Sequence, residues 1–185
     1  ARADAANILS VLDDGAIGVM CPHVDSRQKA EELVSWTKYH GGLRGAGVSR
    51  GCDYGALPDM FRAADDFTTV ICMIEDRQAI DVIDEISSVD GIDAIFLGRG
   101  DLGLSLSNAT DPVPSLSEAV EKIVKIAKGN GKTISAVVQS MKSDEAKWLI
   151  DLGVTAIMVA QDLAFMRQAA SMALQDFNEV MKGNA

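Results

Sequence analysis

The sequence predicts an α/β fold built on a parallel sheet, and three observations carry that reading. Five short apolar runs, at residues 16–24, 68–74, 92–97, 133–138 and 154–159, alternate with amphipathic stretches. The runs are apolar on both faces, as strands of a buried parallel sheet are, and such strands are joined by right-handed helical crossovers. The glycines that could line a site gather after the third run, as GRGDLG. After the first run stands CPHVDS, which is nothing like the glycine fingerprint of a dinucleotide fold. The open doubly wound sheet is thereby disfavoured, and the predicted class is a TIM-type (β/α)8 barrel of which about five carboxyl-terminal β/α units are present.

The elements follow in order. A helix-like ADAANILSVLDDG opens the chain without a strand before it. AIGVMCPHV is the first strand, followed by Asp25 as a candidate N-cap with Gln28 three residues on, and a helix to about residue 39. TTVICMI is the second, rich in β-branched residues; the helix expected over 77–87 puts Ala79, Val82, Ile83 and Ile86 on one face. IDAIFL is the third. Ser115 and Ser117 are candidate caps for a helix that ends near residue 128, at Gly129-Asn130-Gly131. TISAVV is the fourth strand, a helix over 143–152 stops at Gly153, VTAIMV is the fifth, and a last helix covers 163–181. A full barrel takes about 250 residues, and 185 supply too few units. Residues 1–185 are therefore expected to be one partial barrel domain lacking its amino-terminal strands. Its first and last strands are expected as unpaired edges, covered by a neighbouring chain or by residues upstream.

Composition narrows the function. The formal net charge is −10, which repels phosphate backbones and anionic lipid, so nucleic acid and membrane are poor partners. Cys21, Cys52 and Cys72 form no CxxC, and two of them sit inside apolar runs. They read as buried free thiols of a cytoplasmic protein.

The chemistry falls at strand ends. Glu75 closes TTVICMIE and Asp101 follows IDAIFLGRG; in such a barrel the carboxyl ends of the strands face the site. Hard divalent cations favour carboxylate oxygens, and two carboxylates leave room for waters and a chelating substrate. A 2-oxo acid offers a carboxylate and a keto oxygen, and the ion can stabilise the enolate formed in carbon–carbon cleavage or condensation. Capping of the next helices, or pairing with Arg77 or Arg99, explains the same two acids without a metal. The flanking glycines favour the site, because Gly100 and its neighbours let backbone N–H groups approach an anion.

The runs LDDGAIGVMCPHVDSRQKAEELV, GLRGAG, VICMIEDRQAIDVIDEISSVDGIDAIFLGRGDLG and DLGVTAIMVAQD resemble, in order and over essentially the whole chain, one family. It is the pyruvate-dependent class II aldolases typified by 4-hydroxy-2-oxoheptanedioate aldolase and 2-dehydro-3-deoxyglucarate aldolase. The resemblance implies a lyase cleaving a 4-hydroxy-2-oxo acid to pyruvate and an aldehyde, dependent on Mg2+, Mn2+ or Co2+. It implies Glu75 and Asp101 as metal ligands and the backbone of Gly100 and Asp101 as the pyruvate-carboxylate cradle. Asp13 matches an aspartate that pairs with a histidine to hold the acid/base water. That histidine, and a substrate arginine, fall upstream of Ala1; Arg2 is not that arginine. Glutamine is common in the family where Met73 stands, and proline where Arg99 stands. A second resemblance, to the RGDLG of pyruvate kinase, lacks that family's lysine, since Met73 occupies its place. A barrel remnant that binds metal or a partner without turnover is the reading of another class.

The remaining candidates weigh less. Arg44 of GLRGAG suits an anionic substrate tail and equally an ion pair bracing the loop. His23 ends a strand, where a simple hydrogen bond is the ordinary role, and His40 lies in a loop. Two histidines exclude a three-histidine zinc site. The apolar face of the last helix suits the core and also contact between subunits of a homo-oligomer.

Overall fold

The structure is a computed structural model that describes residues 3–182; Arg2 lies outside them. Five strands, β1 (Gly18–Cys21), β2 (Thr69–Ile74), β3 (Ala94–Leu97), β4 (Thr133–Val138) and β5 (Ala156–Val159), form one sheet in which every pairing is parallel. Their order is β1-β2-β3-β4-β5, the same in space as in sequence. A doubly wound sheet reverses its order at a switch point. This one does not, and the result is a half-barrel. Among the described residues β1 and β5 each pair on one side only, as the strand count predicts.

All the packed helices lie against one face. Val19 and Cys21 of β1, Val70, Cys72 and Ile74 of β2, Ile95 and Leu97 of β3, and Ile134, Ala136 and Val138 of β4 are in register across the sheet and belong to a single core. They meet Ile8 and Leu12 of α1 (Ala5–Asp13), Leu33 of α2 (Arg27–Thr37), and, from helices introduced below, Ile83, Ile123 and Leu149. The alternate residues Met20, Met73 and Val137 lie on the other face and are only half-buried. That face carries the site.

Several expectations are refined. Helix α2 is capped by Ser26, whose Oγ accepts from the Lys29 N–H, while Asp25 pairs instead with Lys29 Nζ at 2.7 Å. A helix the sequence reading omits, α3 (Met60–Phe67), precedes β2. The single helix expected over 77–87 is two pieces, a 3-10 turn at Arg77–Ile80 and then α4 (Ile83–Ser87). Its apolar residues still face inward; Ala79, Ile80, Ile83 and Ile86 are buried. GRGDLG does not remain a loop. It opens α5 (Arg99–Ser107), because Leu102 and Leu106 recur at helical spacing and are both buried.

The later elements lie close to expectation. Helix α6 (Leu116–Gly129) has a full capping box between Ser115 and Glu118. Helix α7 (Asp144–Leu152) is capped by Ser143 and ends at Gly153, whose φ of 100° suits a residue without Cβ. The last helix, α8 (Asp162–Lys182), differs from all the others: none of its residues is buried. Burial pushes the Cys21 thiol up to about 11 and the Cys72 thiol to about 12, so both are inert at neutral pH.

Candidate functional site

Beyond Ile74, the alternation of β2 turns Glu75 to the face opposite the helices, in line with Met73. Its carboxylate is nevertheless only 4% exposed. Oε1 accepts the backbone N–H of His23 at 2.9 Å. Oε2 has no hydrogen-bond partner among the described residues and lies beside Gly98, the N-cap of α5. A Cβ on Gly98 would come 2.6 Å from Glu75 Cβ and 3.0 Å from Oε2. Only glycine allows this approach, and the glutamate carboxylate therefore borders the start of α5.

Asp101 stands in the first turn of that helix. It is exposed, and its carboxylate has neither hydrogen bond nor ion pair among the described residues. It neither caps α5 nor pairs with Arg77 or Arg99, so the two structural roles available to it from sequence are unfilled. The first intrahelical bond runs from the Leu102 N–H to the Gly98 carbonyl at 2.9 Å, which leaves the N–H groups of Arg99, Gly100 and Asp101 without intrahelical partners. A Cβ at Gly100 would meet nothing within 4 Å, so the helix surface at Gly100 is open. Free N–H groups at a helix start attract anions.

The same rim holds two residues to which the sequence reading gave little or no weight. His23, 60% exposed, adopts a left-handed φ of 57°, and its Nδ1 lies 3.1 Å from Asp76 Oδ2 and 3.4 Å from Glu75 Oε1. Asp76 was hidden by adjacency: in IED only one of two consecutive acids can follow the face of Met73. Its pairing partner lies 53 positions away and could not be read from spacing.

Asp13 and Arg44 are brought together, though not with Glu75. Asp13 is the last residue of α1, on the side where β1 begins, whereas Glu75 and Asp101 lie where β2 and β3 have ended. Arg44, its side chain 2% exposed, places Nη2 3.5 Å from Asp13 Oδ1 and stacks 4.3 Å from the centroid of the Tyr39 ring. Ser49 Oγ donates to the same Asp13 oxygen at 3.0 Å, and Arg44 Nε is buried without a partner among the described residues. Burial pushes the Tyr39 phenol far above its usual range, aided by its hydrogen bond with Cys52. No histidine reaches Asp13 among the described residues; His40 Nδ1 is held 2.8 Å from Asp65.

The donor set fits a hard divalent cation. Among the described residues Glu75 offers one uncommitted oxygen, beside Gly98, and Asp101 an exposed, uncommitted carboxylate; both are oxygen ligands. Among the described residues no three of His, Cys, Asp and Glu converge as a ready cage. A cation that keeps several waters and is held by one or two carboxylates does not require one.

Residues 3–169 match the model of the family described as HpcH/HpaI aldolase/citrate lyase. The chain is 29% identical to a 5-keto-4-deoxy-D-glucarate aldolase of Escherichia coli O6:H1 over 175 residues, which is 93% of this chain and 68% of that protein. The crystal structure of an HpcH/HpaI aldolase from Desulfitobacterium hafniense DCB-2 superposes with a TM-score of 0.86 at 26% identity, over 96% of this chain and 70% of that one. A citrate synthase, SbnG, superposes with a TM-score of 0.80 at 30% identity, over 100% of this chain and 72% of that one.

Proposed function

Because the chain belongs to the HpcH/HpaI aldolase/citrate lyase family, and is an aldolase or lyase on that ground, we propose that it cleaves a 4-hydroxy-2-oxo acid to pyruvate and an aldehyde with the help of a divalent cation. The observation that carries the proposal is the junction of β2 with α5: a buried glutamate with a free oxygen, beside a helix start with free N–H donors and an unpartnered aspartate. Glu75 and Asp101 would hold Mg2+, Mn2+ or Co2+. Such an ion supplies a Lewis acid for the keto oxygen of the substrate. The N–H groups of Gly100 and Asp101 take the substrate carboxylate, since they stand at a helix start without intrahelical partners. Those contacts orient the 2-oxo acid with its two oxygens towards the Glu75 rim.

Breaking the C3–C4 bond requires the 4-hydroxyl to lose a proton and C3 to gain one. Asp13, which the resemblance ties to that transfer, and Arg44, a candidate for the anionic tail, stand at the opposite rim of their own sheet. Asp13, 29% exposed, can serve a substrate held by a neighbouring copy, with the buried Arg44 bracing it, so the proposal includes a homo-oligomer. Support comes from β5 and α8, which leave Met158, Val159, Leu163, Phe165, Met166, Met172 and Phe177 exposed. The five strands are, in this proposal, part of a (β/α)8 barrel of the triosephosphate isomerase type. Three free thiols support a reducing, cytoplasmic setting. No described helix is long and apolar enough to cross a membrane.

Likeness to a citrate synthase makes condensation the second reading, with the same residues acting in the reverse sense. Phosphoryl transfer finds no support at the rim: Met73, at the place of the pyruvate kinase lysine, packs beside Gly98 and carries no charge. Supplying 5-keto-4-deoxy-D-glucarate with each cation in turn should release pyruvate, while phosphoenolpyruvate with ADP should give no ATP. ATP formation would replace the lyase by a kinase, and inactivity on every 4-hydroxy-2-oxo acid tried would favour a non-catalytic remnant.

A further inference from the structure

The first turn of α5 is short of the usual restraints. Its N-cap, Gly98, makes no side-chain cap hydrogen bond, and Gly98 and Gly100 both lack a Cβ to limit the backbone. Yet Asp101 and the free N–H groups must be held in place without contacts of their own. Two residues flank them. Leu102, fully buried, anchors the helix from the core side. Arg99, at the first helical position, reaches out of its own β/α unit into the next. Its Nη2 donates to the Val137 carbonyl near the end of β4 at 2.6 Å, and its Nη1 pairs with Glu145 in the first turn of α7.

We propose that Arg99 is a positioning residue: by tying the start of α5 to β4 and α7, it fixes the turn that presents Gly100 and Asp101. The assignment of those two groups to substrate and cation rests on the function proposed above. A direct role in binding substrate is a poorer fit to the geometry. The Arg99 side chain is 13% exposed, both terminal nitrogens are engaged, and Nε is buried without a partner. Its one uncommitted nitrogen among the described residues, Nε, is buried rather than offered to solvent. Glu145 is well suited to hold it, because an acid in the first turn of α7 is itself favoured by the helix dipole.

Proline at the first helical position restrains the same turn by different physics, through its fixed φ and without needing an N–H there. This makes the proposal testable by rescue. Exchange of the hydrogen-bonded amides in residues 98–103, those of Gly98 and Leu102 among them, is followed by mass spectrometry in the metal-free protein, and Mn2+ affinity by electron paramagnetic resonance, for the wild type, Arg99→Gln, Glu145→Gln and Arg99→Pro. Arg99→Gln should speed exchange in that segment and weaken Mn2+ binding about 10- to 100-fold, as loss of a residue that orients a ligand does. Glu145→Gln should produce a smaller change in the same segment. Arg99→Pro should restore both protection and affinity.

Unchanged exchange in Arg99→Gln, or an Arg99→Pro variant as impaired as Arg99→Gln, would overturn the proposal. Failure of the wild type to bind Mn2+ would sink the metal reading instead, and the exchange measurement would still judge the clamp.

Discussion

Asp101→Asn is expected to lower kcat/KM for metal-dependent pyruvate release by roughly 10^3-fold, while the melting temperature falls by a few degrees at most. The size follows from the several kcal/mol that a Lewis-acid cation contributes to transition-state stabilisation, at about 1.4 kcal/mol for each factor of ten. The small change in melting follows from the surroundings: Asp101 is exposed and makes no hydrogen bond or ion pair among the described residues, so only its interaction with the α5 dipole, at most about 1 kcal/mol, is lost. Asparagine keeps the shape and removes the anionic ligand. The loss should be accompanied by weakened Mn2+ binding. Activity retained within a few-fold would show that this carboxylate is not a ligand.

The largest effect on stability is expected at the centre of the sheet. Ile95 is fully buried in β3, with Cys72 and Ile134 as its register partners on either side. Ile95→Ala should cost about 2–5 kcal/mol, the sum of lost transfer energy and an unfilled cavity. In urea unfolding the midpoint should fall and the slope stay constant, since the surface exposed on unfolding barely changes. A loss below about 1 kcal/mol would mean that the core does not lie where the sheet meets the helices.

The fold was legible where physics acts locally. TISAVV became β4 at its predicted bounds, and Ser143 and Gly153 bracket α7 as their capping preferences require. Asp25 and Ser26 are both good caps, and only the three-dimensional reach of Ser26 Oγ to the Lys29 N–H decides between them. The start of α5 was hidden for another reason. Glycines in GRGDLG signal a loop, and the burial of Leu102 and Leu106 overrides that signal. The break between Arg77–Ile80 and α4 was equally invisible, because the apolar spacing is kept across it.

The candidate site was legible in part. Glu75 and Asp101 could be placed at one rim because strand direction alone assigns it. Asp13 and Arg44 could not be placed by residue type. Their rim depends on where α1 ends and on contacts distant in sequence, those of Ser49 and Arg44 with Asp13. The Arg99 contacts with Val137 and Glu145 span 38 and 46 positions, beyond any motif.

The central claim is that one divalent cation, held by Glu75 and Asp101, is needed for carbon–carbon cleavage. The most direct test strips the protein with a chelator and returns Mn2+ in steps. Bound Mn2+ is counted by electron paramagnetic resonance, and pyruvate release from a 4-hydroxy-2-oxo acid is followed in the same samples. Release should be absent in the stripped protein, rise in proportion to occupancy, and level off at one Mn2+ per chain, with neither signal in Glu75→Gln. Pyruvate released at the full rate with chelator present, or release unrelated to occupancy, would contradict the account.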